Sequence, residues 1–140
     1  MKVLITGAAS GIGAACAELL SLDNELLLID RSPIAERPNA RLFKADVSDE
    51  AFWLSPELQS ALEGIDHAIF CAGVSDAAPI VQMDYQAWSR ILSINLDAVF
   101  LGIRAVLRAK TTPGAIVAVS SASARKPAAM TSAYGASKAA

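Results

Sequence analysis

Cysteine is scarce in this chain: Cys16 and Cys71 are the only two, and both lie in apolar runs. Two are too few for a disulfide framework and read as buried thiols of a protein in a reducing compartment, which points to the cytoplasm. Lys and Arg form no block, and the formal net charge is −2. Nucleic acid and anionic membranes are therefore not expected partners. No apolar run is long enough to span a bilayer. The first strand is expected to begin at Lys2, so no signal peptide is expected. Internal repeats and low-complexity tracts are absent, and no metal site is expected. What the chain does have is apolar residues, 54% of 140 against 19% charged, the balance of one globular domain with a filled core.

The stretch Thr6-Gly7-Ala8-Ala9-Ser10-Gly11-Ile12-Gly13 follows the apolar run Val3-Leu4-Ile5 and opens an Ala-rich helical run. Strand, glycine turn and helix in that order favour phosphate binding, because glycine lets a ligand approach the main chain and the helix start presents free N–H groups. A tight turn without a ligand is the plainer alternative. Further strands are expected at Glu25–Asp30, Arg41–Ala45, His67–Cys71 and Ala115–Ser120. Pro33 and Pro38 leave no room for a crossover helix between the second and third. Helical stretches are expected from a Ser48 cap to Glu63, with a break at Pro56 and an end at Gly64, from an Asp84 cap to Lys110, and from Thr131 onward. Pro113-Gly114 reads as a turn. Strands alternating with helices predict a doubly wound parallel α/β sheet with its ligand crevice at the strands' carboxyl ends.

Several polar residues fall at such ends. Asp30 stands 19 residues after Gly11, where a dinucleotide fold places the acid that binds the adenosine ribose and repels a 2′-phosphate; Arg31 beside it is the complication, and a plain loop-start acid is the alternative. Asp46 suits either an adenine contact or a helix-start cap. Tyr134 and Lys138 share one helix face. An ammonium near a phenol favours the phenolate, as acid/base work on alcohols and ketones requires, although a surface pair of this spacing is common. Ser121 is placed to hold a carbonyl, whereas its neighbours Ser120 and Ser123 suit loop caps. Asn95, a poor helix former within a helical run, is either a packing amide or a water holder.

The glycine stretch, Asp30, Asp46-Val47, Cys71-Ala72-Gly73, Asn95, Ser120-Ser121 and Tyr134-Gly135-Ala136-Ser137-Lys138, taken in this order, resemble the short-chain dehydrogenase/reductase family along nearly the whole chain. The resemblance implies a Rossmann fold binding NAD, with NADP the lesser choice. It implies a cofactor site of Gly7, Ala9, Ser10, Gly11, Ile12, Gly13, Asp30, Arg31, Asp46, Val47, Cys71, Ala72, Gly73, Tyr134 and Lys138. It also implies a catalytic set: Tyr134 as acid/base, Lys138 on the ribose, Ser121 on the carbonyl, and Asn95 on a water relay. Two departures stand out. Cys71 replaces the Asn of the family's Asn-Ala-Gly, and the segment from Arg31 to Ala40 is short. The expected activity is hydride exchange between NAD(H) and a secondary alcohol or ketone. The alternatives are a non-catalytic binding module and an inactive fragment. The resemblance also implies that the chain is the N-terminal part of a longer single-domain enzyme, incomplete on its C-terminal side. A homodimer or homotetramer is expected, with the helical faces from Leu96 to Ala109 available for pairing.

Overall fold

The computed structural model describes residues 1–109, 114–126 and 128–140. Among these, five parallel strands form one sheet in the order β3-β2-β1-β4-β5. β1 spans Lys2–Thr6, β2 Glu25–Asp30, β3 Ala40–Lys44, β4 His67–Phe70 and β5 Ile116–Ala118. β1 lies between β2 and β4, with Thr6 level with Ile29 on one side and Phe70 on the other. The strand order reverses at β1, which is where an open sheet of this kind leaves its crevice.

Strands buried on both faces read as continuous apolar runs, and Leu26, Leu27, Leu28 and Ile29 are all fully buried. Burying each such side chain contributes about 1.5–3 kcal/mol, so this run fixes β2 in the sheet without help from local propensity. One side of the sheet carries α1 (Gly11–Leu20), packed on Val3, Ile5, Leu26 and Leu28. The larger core lies on the other side, under α2 (Glu50–Leu54), α3 (Pro56–Leu62) and α5 (Ala98–Ala109). Its centre is Trp53, 1% exposed, whose indole N–H donates to Val47 O at 2.7 Å.

Several elements depart from the sequence reading. β3 begins and ends one residue early, and β5 is shorter than expected. The helix after β3 is capped by Asp49, whose carboxylate accepts from Ala51 N at 2.9 Å. Ser48 is not the cap, because its hydroxyl donates to Asp46. Pro56 does more than break the helix: it begins α3 at a position where its missing N–H costs nothing, with Ser55 as the new cap. Asp84 caps α4 (Tyr85–Leu92) through Ala87 N at 2.7 Å. The run then passes through a π-helical turn, Ser93–Asp97, before α5. Lys110 and Pro113 lie outside the described residues. α6 spans Ser132–Ala139. Both cysteines are free and only half-buried rather than buried.

Candidate active site

The chain leaves β1 through Gly7, which has a φ of 70°. Gly7 N and Ala8 N both donate to Ile29 O, at 2.9 and 3.3 Å, tying the turn to the end of β2. A Cβ on Gly7 would lie 2.7 Å from Ala72 N, so only glycine lets the exits of β1 and β4 close on each other. A Cβ on Gly13 would lie 2.2 Å from Gly7 O, so the first turn of α1 packs directly on the loop. Gly11 differs: its φ is 54°, and nothing lies within 4 Å of where a Cβ would stand. Ser10 is the N-cap of α1 but makes no side-chain cap hydrogen bond. The amides of the helix start, which have no partner within the helix, therefore carry no side-chain cap, and the helix dipole favours an anion beside them.

A cavity of about 370 Å³ opens at this point. Gly7, Ser10, Gly11, Ile12 and Gly13 line it from the glycine loop, Asp30 and Arg31 from the end of β2, Asp46 and Val47 from the end of β3, and Cys71, Ala72 and Gly73 from the end of β4. Ala9, Tyr134 and Lys138, expected among them, do not line it; the Ala9 N–H donates to Asp30 Oδ2 at 3.0 Å. Asp30 Oδ1 accepts from Ser32 N at 2.8 Å, so the carboxylate is held at both oxygens. The Ser48 hydroxyl and amide both donate to Asp46 Oδ1, at 2.7 and 2.9 Å. These bonds, with Arg31 and Arg90 nearby, hold the Asp46 carboxyl below its ordinary value of 3.8 against the opposing effect of burial. Asp46 thus closes its own turn and does not cap the helix. The Cys71 thiol is pushed up to about 11, chiefly by burial and then by the neighbouring Cys16.

Of the second group of expected residues, Asn95 and Lys138 approach this cavity at Gly73, and none of Asn95, Ser121, Tyr134 and Lys138 lines it. A Cβ there would stand 3.3 Å from Asn95 Oδ1 and 3.5 Å from Lys138 Nζ, so these polar atoms converge on one lining residue. Lys138 reaches it from α6, with Nζ donating to Val119 O at 2.8 Å. Asn95, 4% exposed, sits in the π-helical turn. Its Oδ1 accepts from Val74 N at 2.8 Å, and its Nδ2 donates to Val74 O at 2.8 Å and to Ser137 Oγ at 3.0 Å. This side chain is a clamp on the loop after β4 and on α6. Ser121 Oγ accepts from Ser123 N at 3.2 Å and caps the 3₁₀ turn Ala122–Ala124, against which α6 packs. Tyr134 is half-exposed, one turn before Lys138 on α6. Ser120 Oγ donates to Lys138 O at 2.8 Å.

The cavity is also lined by Ser32, Ala45, Val74 and Ile94, which the sequence did not single out. Ser32 was readable, since an Asp two residues before an amide makes an Asx turn. Val74 takes part through its main chain and leaves no side-chain signal. The hydroxyl of Ser137 was not distinguished within its motif.

A family model described as short chain dehydrogenase matches residues 1–140. A cis-4-hydroxycyclohexanecarboxylate dehydrogenase of Sinomonas cyclohexanicum is 32% identical over 97% of this chain and 61% of its own length. A galactitol 2-dehydrogenase of Agrobacterium fabrum is 31% identical over 98% of this chain and 59% of its own. Among solved structures, a 4-hydroxyisoleucine dehydrogenase complexed with NADH superposes with a TM-score of 0.90 at 25% identity, covering 99% of this chain and 63% of that one. The chain spans between 44% and 62% of the length of the curated relatives it matches.

Proposed function

The chain belongs to the short-chain dehydrogenase family, and from that premise we propose that it is part of a nicotinamide-dependent oxidoreductase acting on CH–OH groups, binding NAD(H) in the glycine-lined cavity and interconverting a secondary alcohol and a ketone. One observation carries the reading: the cavity is lined both by a helix start without a side-chain cap and by Gly73, beside which Asn95 Oδ1 and Lys138 Nζ lie. The residues fit a dinucleotide. Gly11 leaves open space where a side chain would stand, and the start of α1 suits the pyrophosphate. The Asp30 carboxylate accepts from ribose hydroxyls and disfavours a 2′-phosphate, supporting NAD over NADP. Asp46 and Val47 stand on the adenine side.

When bound, the nicotinamide supplies or takes up the hydride. Tyr134 moves the proton at the substrate oxygen. Lys138 Nζ holds the ribose and favours the phenolate, Ser121 Oγ orients the carbonyl, and Asn95 supports the relay through which the proton returns to water. The two free thiols suit a cytoplasmic protein. Among the described residues no helix is long and apolar enough to cross a membrane. The full-length enzyme assembles as a homodimer or homotetramer. The exposed apolar face of α5, with Phe100 and Leu107 at 60% and 58% exposure, supports pairing with a second copy. Titrating the full-length protein with NAD and NADP, then screening secondary alcohols and ketones for turnover, tests the reading. Binding of NAD with nicotinamide turnover is expected; a protein that binds neither dinucleotide overturns it.

A further inference from the structure

Ser137 has no role in the reading above, yet its hydroxyl joins two parts of the site. It is 4% exposed, on the inner side of α6 between Tyr134 and Lys138. Its Oγ donates to Tyr134 O at 2.8 Å, within its own helix, and accepts from Asn95 Nδ2 at 3.0 Å, in the π-helical turn. A hydroxyl has one hydrogen to donate and two lone pairs to accept with, so this geometry uses its donor and one acceptor. Asn95 in turn holds both main-chain groups of Val74, and Val74 lines the cavity.

The geometry points to Ser137 as a positioning residue that sets where Tyr134 and Lys138 stand relative to the cavity, acting through Asn95. The inference rests on the reading of Tyr134 as the acid/base. α6 packs against α4, the 3₁₀ turn and the π-helical turn, and its side-chain hydrogen bonds are few. Its N-cap, Thr131, makes no side-chain cap bond, and its eight residues are too few to be stable without tertiary contacts. Ser120 ties down the Lys138 carbonyl and Lys138 Nζ reaches Val119 O, but both bonds anchor α6 toward the end of β5. The Ser137–Asn95 bond is the tie toward the π turn and the Val74 loop. The side chain of Asn95 has both amide hydrogens engaged, one of them on Ser137. Loss of that hydroxyl would strand a buried N–H and free α6 to shift in register. A small displacement of a reacting group is enough to slow the chemical step strongly.

The test is steady-state kinetics and NAD titration of the full-length enzyme with Ser137→Ala, Ser137→Cys and Ser137→Thr, with Tyr134→Phe alongside. Cysteine keeps the shape with a weak hydrogen-bonding group, and so serves if the alanine variant folds poorly. Ser137→Ala and Ser137→Cys are expected to lower kcat about 10- to 100-fold while the Kd for NAD stays within about threefold, a split that marks loss of placement and not of binding. Ser137→Thr, which keeps the hydroxyl, is expected to hold kcat within about threefold. A Ser137→Ala or Ser137→Cys enzyme with wild-type kcat and only a lowered melting temperature overturns the proposal, as does a threonine variant as slow as the alanine one. If either occurs while Tyr134→Phe is inactive, the positioning role alone fails. A Tyr134→Phe enzyme that turns over normally overturns both readings.

Discussion

Gly13 tolerates no side chain: its missing Cβ would stand 2.2 Å from the Gly7 carbonyl oxygen, and that atom belongs to a loop pinned to Ile29. Gly13→Ala should therefore cost about 1–3 kcal/mol through overpacking, seen as a lower melting temperature together with weakened NAD binding. A variant with wild-type melting would mean that the loop yields more easily than its hydrogen bonds indicate. Cys71 carries a pH prediction. Its thiol, ordinarily at 9.0, is held as the neutral form up to about 11 in the fold. Below pH 9 both states keep the proton and the fold has the full benefit. Between about 9 and 11 the unfolded chain releases the proton while the folded one retains it, so stability falls as pH rises through that window. Urea midpoints across it should fall less steeply for Cys71→Ala than for the wild type; equal slopes would remove Cys71 from the alkaline limb. At Asp30, substitution by Ala should weaken NAD about tenfold and narrow the gap to NADP if, as proposed, the carboxylate accepts from ribose and repels phosphate. Tighter NADP binding by the unaltered protein would mean that Arg31 governs the choice.

At the scale of elements, the glycine turn, β1, β2 and Asp30 were legible because each leaves a mark in residue type: a continuous apolar run, glycine where φ is positive, an acid at a strand end. Asp84 was equally plain as a cap. The π-helical turn was not legible. The run from Asp84 reads as one helix, and the partners that Asn95 finds inside the π turn, Val74 and Ser137, lie far away in the sequence. Asn95 in that run was the one local sign, and it left its packing and water-holding readings open. Capping by Asp49 and not Ser48 was decided by Asp46, which holds the Ser48 hydroxyl. The helix after the π turn carries its own test. A Cβ on Gly102 would stand 2.3 Å from Phe70 Cε1 and 2.9 Å from Trp53 Cη2, so α5 rests directly on β4 and α2. Gly102→Ala should destabilise by about 1–3 kcal/mol, measured as a fall in denaturant midpoint. An unchanged midpoint would show that the two rings move aside freely.

For the whole molecule, two surfaces matter beyond the cavity. β5 pairs with β4 on one side, and among the described residues its other side has no strand beside it. Val117 in it is 49% exposed, with no charge or proline within the strand to deter another edge from joining. The 140-residue chain expressed by itself should self-associate in light scattering, and Val117→Lys should reduce that. A monodisperse unaltered chain would contradict it. If the exposed apolar face of α5 pairs subunits as proposed, Phe100→Asp should lower the sedimenting mass of the full-length enzyme; an unchanged mass would remove that face from the interface. The central claim is that Tyr134 is the acid/base of a nicotinamide-dependent alcohol/ketone oxidoreductase. Its most direct test is turnover of the full-length enzyme and its Tyr134→Phe variant, with NAD and an alcohol substrate, followed by nicotinamide absorbance. The account predicts loss of kcat by about 10²–10⁴-fold with NAD binding nearly unchanged; a Tyr134→Phe enzyme with near-normal kcat would contradict it.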